Sequence, residues 1–216
     1  MTSSVILRGS ACLVVSLLAA QISVGGVLPN GSLANKTIVK KTRYIEKSHP
    51  TPNVDVSRKN TVEGVILHHT AEPTVERSLE ILTSRKKKVG THVVINTDGT
   101  RYVMANPEVV TYHAGYSVLN GKEGCNFFTI GIEFQGNTLE KPLTSNQINS
   151  AIEYLLPLIT KYKIPLSNIV THEMVRQAYK KKYPRKRCSG KVDITQVEYK
   201  RFMNALRRAI VKSQKK

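Results

Sequence analysis

Gly64-Val65-Ile66-Leu67-His68-His69-Thr70 is the stretch that decides how this chain folds. Three apolar residues run into two adjacent histidines and a threonine, which reads as a buried strand ending in polar chemistry. Side chains alternate across a strand, so Ile66, His68 and Thr70 share one face while Val65, Leu67 and His69 share the other. Only one of the two histidines can therefore point at a given site.

Outward from this strand, assigned to residues 62–69, elements of both kinds follow. A helix is expected over 75–88, with Leu79 and Leu82 in its apolar stripe and a basic last turn before Gly90. A second strand over 91–96 turns at Asp98-Gly99 into a third over 100–104. The strand over 128–134 places Ile130, Ile132 and Phe134 on one face and Glu133 on the other. A buried carboxylate there needs a cation or a similar partner. Thr144 and Gln147 form a capping box for a helix over 145–162, and Thr195 and Glu198 form another for a helix ending near Val211. Between them lie a short strand over 168–172 and a basic loop over 176–187. The order predicts an α/β fold, a central mixed β-sheet flanked by helices.

The 216 residues allow one ordinary domain with appendages, and 33 Lys+Arg against 15 Asp+Glu give a formal charge of +18. Such a balance points to a polyanionic partner: nucleic acid, anionic lipid or an acidic wall polymer. Residues 1–25 narrow the choice. Arg8 precedes a short apolar run and then small residues, the pattern of a signal peptide cut near Ala20 or Gly25 and too short for a comfortable membrane span. Export to the periplasm or cell envelope argues against nucleic acid. Stable membrane insertion is expected only if the segment stays uncut. Residues 26–52 read as a basic linker with at most a short strand over 37–39, and residues 53–211 as the domain, with a frayed tail over 212–216. Two cysteines remain beyond the export segment, Cys125 and Cys188, and an oxidising compartment makes a disulfide between them one reading.

A second reading uses one of them as a ligand. His68, Glu133 and His172 each fall at or near a strand end. His68 and His172 with Cys188 would make a three-ligand zinc (Zn2+) site with an open fourth position, although spacing alone ties them weakly.

Leu67-His68-His69-Thr70-Ala71, His113-Ala114-Gly115, Asn126 followed by Ile130-Gly131-Ile132-Glu133, and His172 followed by Arg185-Lys186-Arg187-Cys188 occur in the order of a known family. Over residues 53–208 the chain resembles the zinc N-acetylmuramoyl-L-alanine amidases, which share their fold with peptidoglycan-recognition proteins. The resemblance implies His68, His172 and Cys188 as zinc ligands. Some branches carry aspartate at the third place. It implies Lys186, two residues before that ligand, as the group that steadies the oxyanion, and Glu133 as the acid-base residue. Thr91 stands where a recognition-type branch has tyrosine. His113, Asn126 and Arg185 are expected to touch substrate, and His92 to be structural. The implied substrate is peptidoglycan or muropeptides, and the implied reaction is hydrolysis of the amide between N-acetylmuramic acid and L-alanine. The alternative is a recognition module that binds without cutting.

Overall fold

A computed structural model describes residues 21–27, 33–39, 43–188 and 193–215. The chain forms two units, residues 1–41 and 42–216. In the first, β1 (Gln21–Val27) pairs antiparallel with β2 (Leu33–Val39). Paired strands therefore stand where a linker with one short strand was expected. The first twenty residues of the expected export segment lie outside the described residues. No described helix is long and apolar enough to cross a membrane.

The second unit is built on six strands: β3 (Glu46–Ser48), β5 (Gly64–His69), β6 (Val93–Ile95), β7 (Arg101–Val103), β11 (Thr129–Phe134) and β12 (Ile169–Thr171). They form one mixed sheet in the order β12-β5-β11-β6-β7-β3. Strand β11 runs parallel to both β5 and β6, and β12 is parallel to β5. The β6–β7 pair is the antiparallel hairpin expected at Asp98-Gly99. Smaller pairings join β4 (Val54–Lys59) to β8 (Val109–Thr111), and β9 (Val118–Leu119) to β10 (Lys122–Glu123).

Every residue of β5 and β11 is buried, as central parallel strands require. The alternation sorts them onto two faces. Val65, Leu67, Ile130, Ile132 and Phe134 pack with apolar residues of α2 (Ser145–Tyr162) and α4 (Gln196–Gln214) in one core. On the opposite face Ile66 and Val170 pack with Val175 of α3 (His172–Lys182), and Val94 packs with Val75, Leu79 and Leu82 of α1 (Val75–Thr83). Both helix caps form where expected. The box at Thr144 closes in both directions with Gln147. At α4 the Thr195 hydroxyl accepts from Glu198 N–H, while the Glu198 carboxylate turns away to accept the Leu143 N–H.

Three expectations change. Helix α1 stops at Thr83 rather than near Lys88, because its last carbonyls are taken from outside. The Thr51 hydroxyl and Asn53 amide donate to Leu82 O, and Asn53 also donates to Ser84 O and Val89 O. The domain begins before residue 53, since β3 pairs with β7 and Arg101 binds Glu46 and Glu153 from a buried position. The basic segment after His172 is helical, not a loop: Thr171 caps it, Val175 and Tyr179 are buried one turn apart, and Lys180, Lys181 and Lys182 fill its last turn.

Candidate functional site

His68 lies at the end of β5, directly opposite Glu133 of β11 in the parallel register. Cross-strand partners share a face, so the histidine and the carboxylate open onto the same side of the sheet. They share a cleft of about 780 Å³ with Thr70, Glu72, Tyr112, His113, Asn126 and His172. His69, on the other face, is buried, and its Nδ1 accepts the Thr138 N–H at 3.1 Å. His172 occupies the first position of α3, next to His68, because β12 ends one residue earlier and Thr171 caps the helix.

The third member of the cluster is Asp193. Its Oδ1 accepts the His69 N–H at 2.8 Å, which orients the carboxylate. Its Oδ2 faces His172 Nδ1 at 3.0 Å and His68 Nδ1 at 3.3 Å. Burial opposes ionisation of this carboxyl, but the His68 charge and the hydrogen bonds from His172 and His68 outweigh it and hold its pKa below the ordinary value.

The remaining ring nitrogens reveal the tautomers. Ala114 O can only accept, so the His172 Nε2 at 3.2 Å carries the proton. The Thr129 hydroxyl donates to Cys125 O, so its oxygen accepts from His113 Nε2 at 3.4 Å. Burial, then the charges of His68, His92 and His172, push His113 well below the ordinary pKa and keep it neutral. Its Nδ1 is then the acceptor for His68 Nε2–H at 3.2 Å. Each histidine thus uses its Nε2 elsewhere and turns its Nδ1 towards Asp193 Oδ2. One ring nitrogen of each histidine and one Asp193 oxygen lie within 4.8 Å of one another, a donor set that suits a divalent ion such as zinc.

Cys188 is not the third member. It is a half-buried free thiol outside the His68–His172–Asp193 group, and Cys125 is a buried free one, so no disulfide joins them. The reason is tertiary. Because α3 is a helix, the chain returns from its far end and reaches the histidines only where α4 begins. Thr195 N–H is tied there to the Thr138 hydroxyl. Asp193, with no exposed surface, is the residue that arrives.

Arg185 and Lys186 are exposed and do not line the cleft, and the Lys186 ammonium lies 4.7 Å from the centre of the Tyr183 ring. The expected two-residue spacing reappears in Lys191-Val192-Asp193, the signal that sequence reading missed. Lys191 lies outside the described residues. Asn126 lines the cleft but spends its Oδ1 on the N–H groups of His113 and Ala114, holding the loop against the site.

Gly131 makes room for His113. A Cβ there would lie 2.6 Å from His113 Cγ and 2.9 Å from Thr91 Oγ1. Gly131→Ala is expected to cost about 1–3 kcal/mol by overpacking, read by urea unfolding. An unchanged midpoint would contradict this contact.

His92 is structural. Its Nε2–H donates to Val109 O, and its Nδ1 accepts from Gly131 N–H and the Thr111 hydroxyl. Burial lowers its pKa from 6.5 to about 4. On acidification the unfolded chain takes up this proton first, so stability is lost as pH falls from 6.5 towards 4, by about 3 kcal/mol in all. NMR should find the ring neutral and Nε2-protonated until pH approaches 4. Titration at the ordinary histidine value would refute this.

Comparison with known proteins agrees with the geometry. Residues 58–191 match the family model described as N-acetylmuramoyl-L-alanine amidase. The chain is 39% identical over 88 residues to a 1,6-anhydro-N-acetylmuramyl-L-alanine amidase AmpD of Haemophilus influenzae, covering 39% of this chain and 46% of the relative. It is 33% identical over 85 residues to the AmpD of Citrobacter freundii, covering 39% and 45%. The chain thus spans about half the length of the curated relatives it matches. Among solved structures, a selenomethionine derivative of AmpD superimposes with a TM-score of 0.56 at 19% identity, covering 75% of this chain and 96% of that one. A point mutant of PlyL gives 0.53 at 13% identity, covering 74% and 97%. A matching family model over more than half the sequence, with the expected mixed sheet beneath the histidine cluster, shows that this chain belongs to the N-acetylmuramoyl-L-alanine amidase family.

Proposed function

We propose that this protein is an exported, zinc-dependent amidase that hydrolyses the bond between N-acetylmuramic acid and the L-alanine of a peptidoglycan stem. The observation that carries the reading is the convergence of His68 Nδ1 and His172 Nδ1 on Asp193 Oδ2, beside a cleft lined by His68, His172 and Glu133. The names of the curated relatives extend the substrate class to 1,6-anhydro-muramyl peptides. Export rests on the charged and apolar pattern of residues 1–25.

His68, His172 and Asp193 would hold the zinc, which when bound acts as a Lewis acid and brings the pKa of its water to about 7. His113 positions His68 by accepting its Nε2 proton, and Ala114 O does the same for His172. Glu133 takes the proton from the attacking water and returns it to the alanine nitrogen as the amide bond breaks. Lys191 takes over the oxyanion role first expected of Lys186, because it stands two residues before the aspartate.

The test is incubation of the zinc-loaded protein with a defined muramoyl-tripeptide and mass spectrometry of the products. Free tripeptide beginning with L-alanine is expected, and His68→Ala is expected to release none. Intact substrate in the presence of bound zinc would sink the amidase reading and leave a binding module.

A further inference from the structure

Outside the cleft, one group of aromatic residues is not used by the chemistry. Tyr116 is 66% exposed, and its ring lies on that of Tyr179 at 5.2 Å between centres and 19° between planes. Tyr179 is buried and in turn meets Tyr183 at 4.9 Å. Tyr183 is clamped from below: its hydroxyl and the Lys182 ammonium both donate to Glu123 Oε1 at 2.6 Å. Tyr116 therefore has a rigid backing, and its ring cannot collapse inwards. An open aromatic face held this way is a poor use of apolar surface unless something covers it.

Its position says what. Gly115, the residue before Tyr116, lines the cleft, and so does His172 at the start of the helix that carries Tyr179. The platform thus continues the cleft rim on the α3 side. A muramoyl peptide cut in the cleft is attached to a glycan when it comes from polymer, and the apolar face of a sugar ring is a flat partner for an aromatic face. Lys180, Lys181, Arg185, Lys186 and Arg187 are exposed along the same segment, which suits a strand whose uncut stems carry carboxylates.

We propose that Tyr116, backed by Tyr179 and Tyr183, is a glycan-stacking subsite that selects polymeric peptidoglycan chains over isolated muramoyl peptides. This rests on the amidase reading for its substrate, not for its geometry. A preorganised ring contributes to binding without entering the reaction, so its loss should appear in KM rather than kcat.

The experiment compares wild type, Tyr116→Ala and Tyr116→Trp on soluble stem-bearing glycan chains and on a single muramoyl-tripeptide. For the alanine variant KM on the chains should rise about three- to tenfold, as expected for loss of one aromatic contact. Its kinetics on the tripeptide should match wild type, and tryptophan should restore chain binding. Equal effects on both substrates, or none on either, would overturn the subsite. Calorimetric titration with stem-free glycan chains separates the two readings. If wild type cuts nothing yet binds these chains more tightly than Tyr116→Ala does, the amidase reading fails and the subsite stands. Equal binding by both proteins removes the subsite.

Discussion

Asp193→Asn is expected to abolish turnover and weaken zinc binding at least about a hundredfold, since loss of even an outer-shell partner costs ~10–100-fold. The variant is chosen because it isolates charge. Asparagine Oδ1 can still accept the His69 N–H, so the backbone contact survives. Its Nδ2, however, brings a donor where Oδ2 faced both Nδ1 atoms, and no negative charge remains to hold a cation. Asp193→Ala would additionally strand the His69 N–H in a buried place, a cost of about 1–3 kcal/mol that would confuse metal loss with unfolding. Cys188→Ser is the matched control. It should keep both metal and activity, because the thiol lies outside the cluster. Zinc retained by Asp193→Asn and lost by Cys188→Ser would reverse the assignment.

Glu133→Gln should bind zinc as wild type does and lose about 10²–10⁴-fold in kcat, the usual range for a positioned acid-base group. The substitution preserves shape in a strand where every residue is buried. It removes the capacity to accept a proton from water and return it to the departing nitrogen. Because Glu133 pairs with His68 across β5 and β11, the two groups reach the cleft by backbone register and not by a flexible loop. The loss should therefore fall on kcat with KM little changed. Loss of zinc from the variant would instead make Glu133 a ligand.

These two predictions divide along what the chain's own periodicity could tell. Alternation within each apolar strand separated His68 from His69 and Glu133 from its apolar neighbours, and the parallel register of β5 and β11 brings the two residues into the same cleft. The hairpin at Asp98-Gly99 and the caps at Thr144 and Thr195 were legible for the same reason: each depends on residues within a few positions of one another. Expectations failed where a distant partner intervened. Helix α1 ends early because Thr51 and Asn53 take its carbonyls, contacts that span about thirty residues of sequence.

By itself, the sequence determined a mixed sheet with helices on its faces, and placed His68, Glu133 and His172 at or near strand ends. Only the tertiary structure decided which residue completes the cluster. Cys188 and Asp193 both follow His172 within a short span, and both are competent ligands, so residue type could not choose between them. The choice was made by geometry. Helix α3 carries the chain away from the site, and the contacts of Asp193 and Thr195 with His69 and Thr138 bring it back at Asp193. A side chain joins such a cluster by where the backbone returns, and that depends on packing between segments more than fifty residues apart.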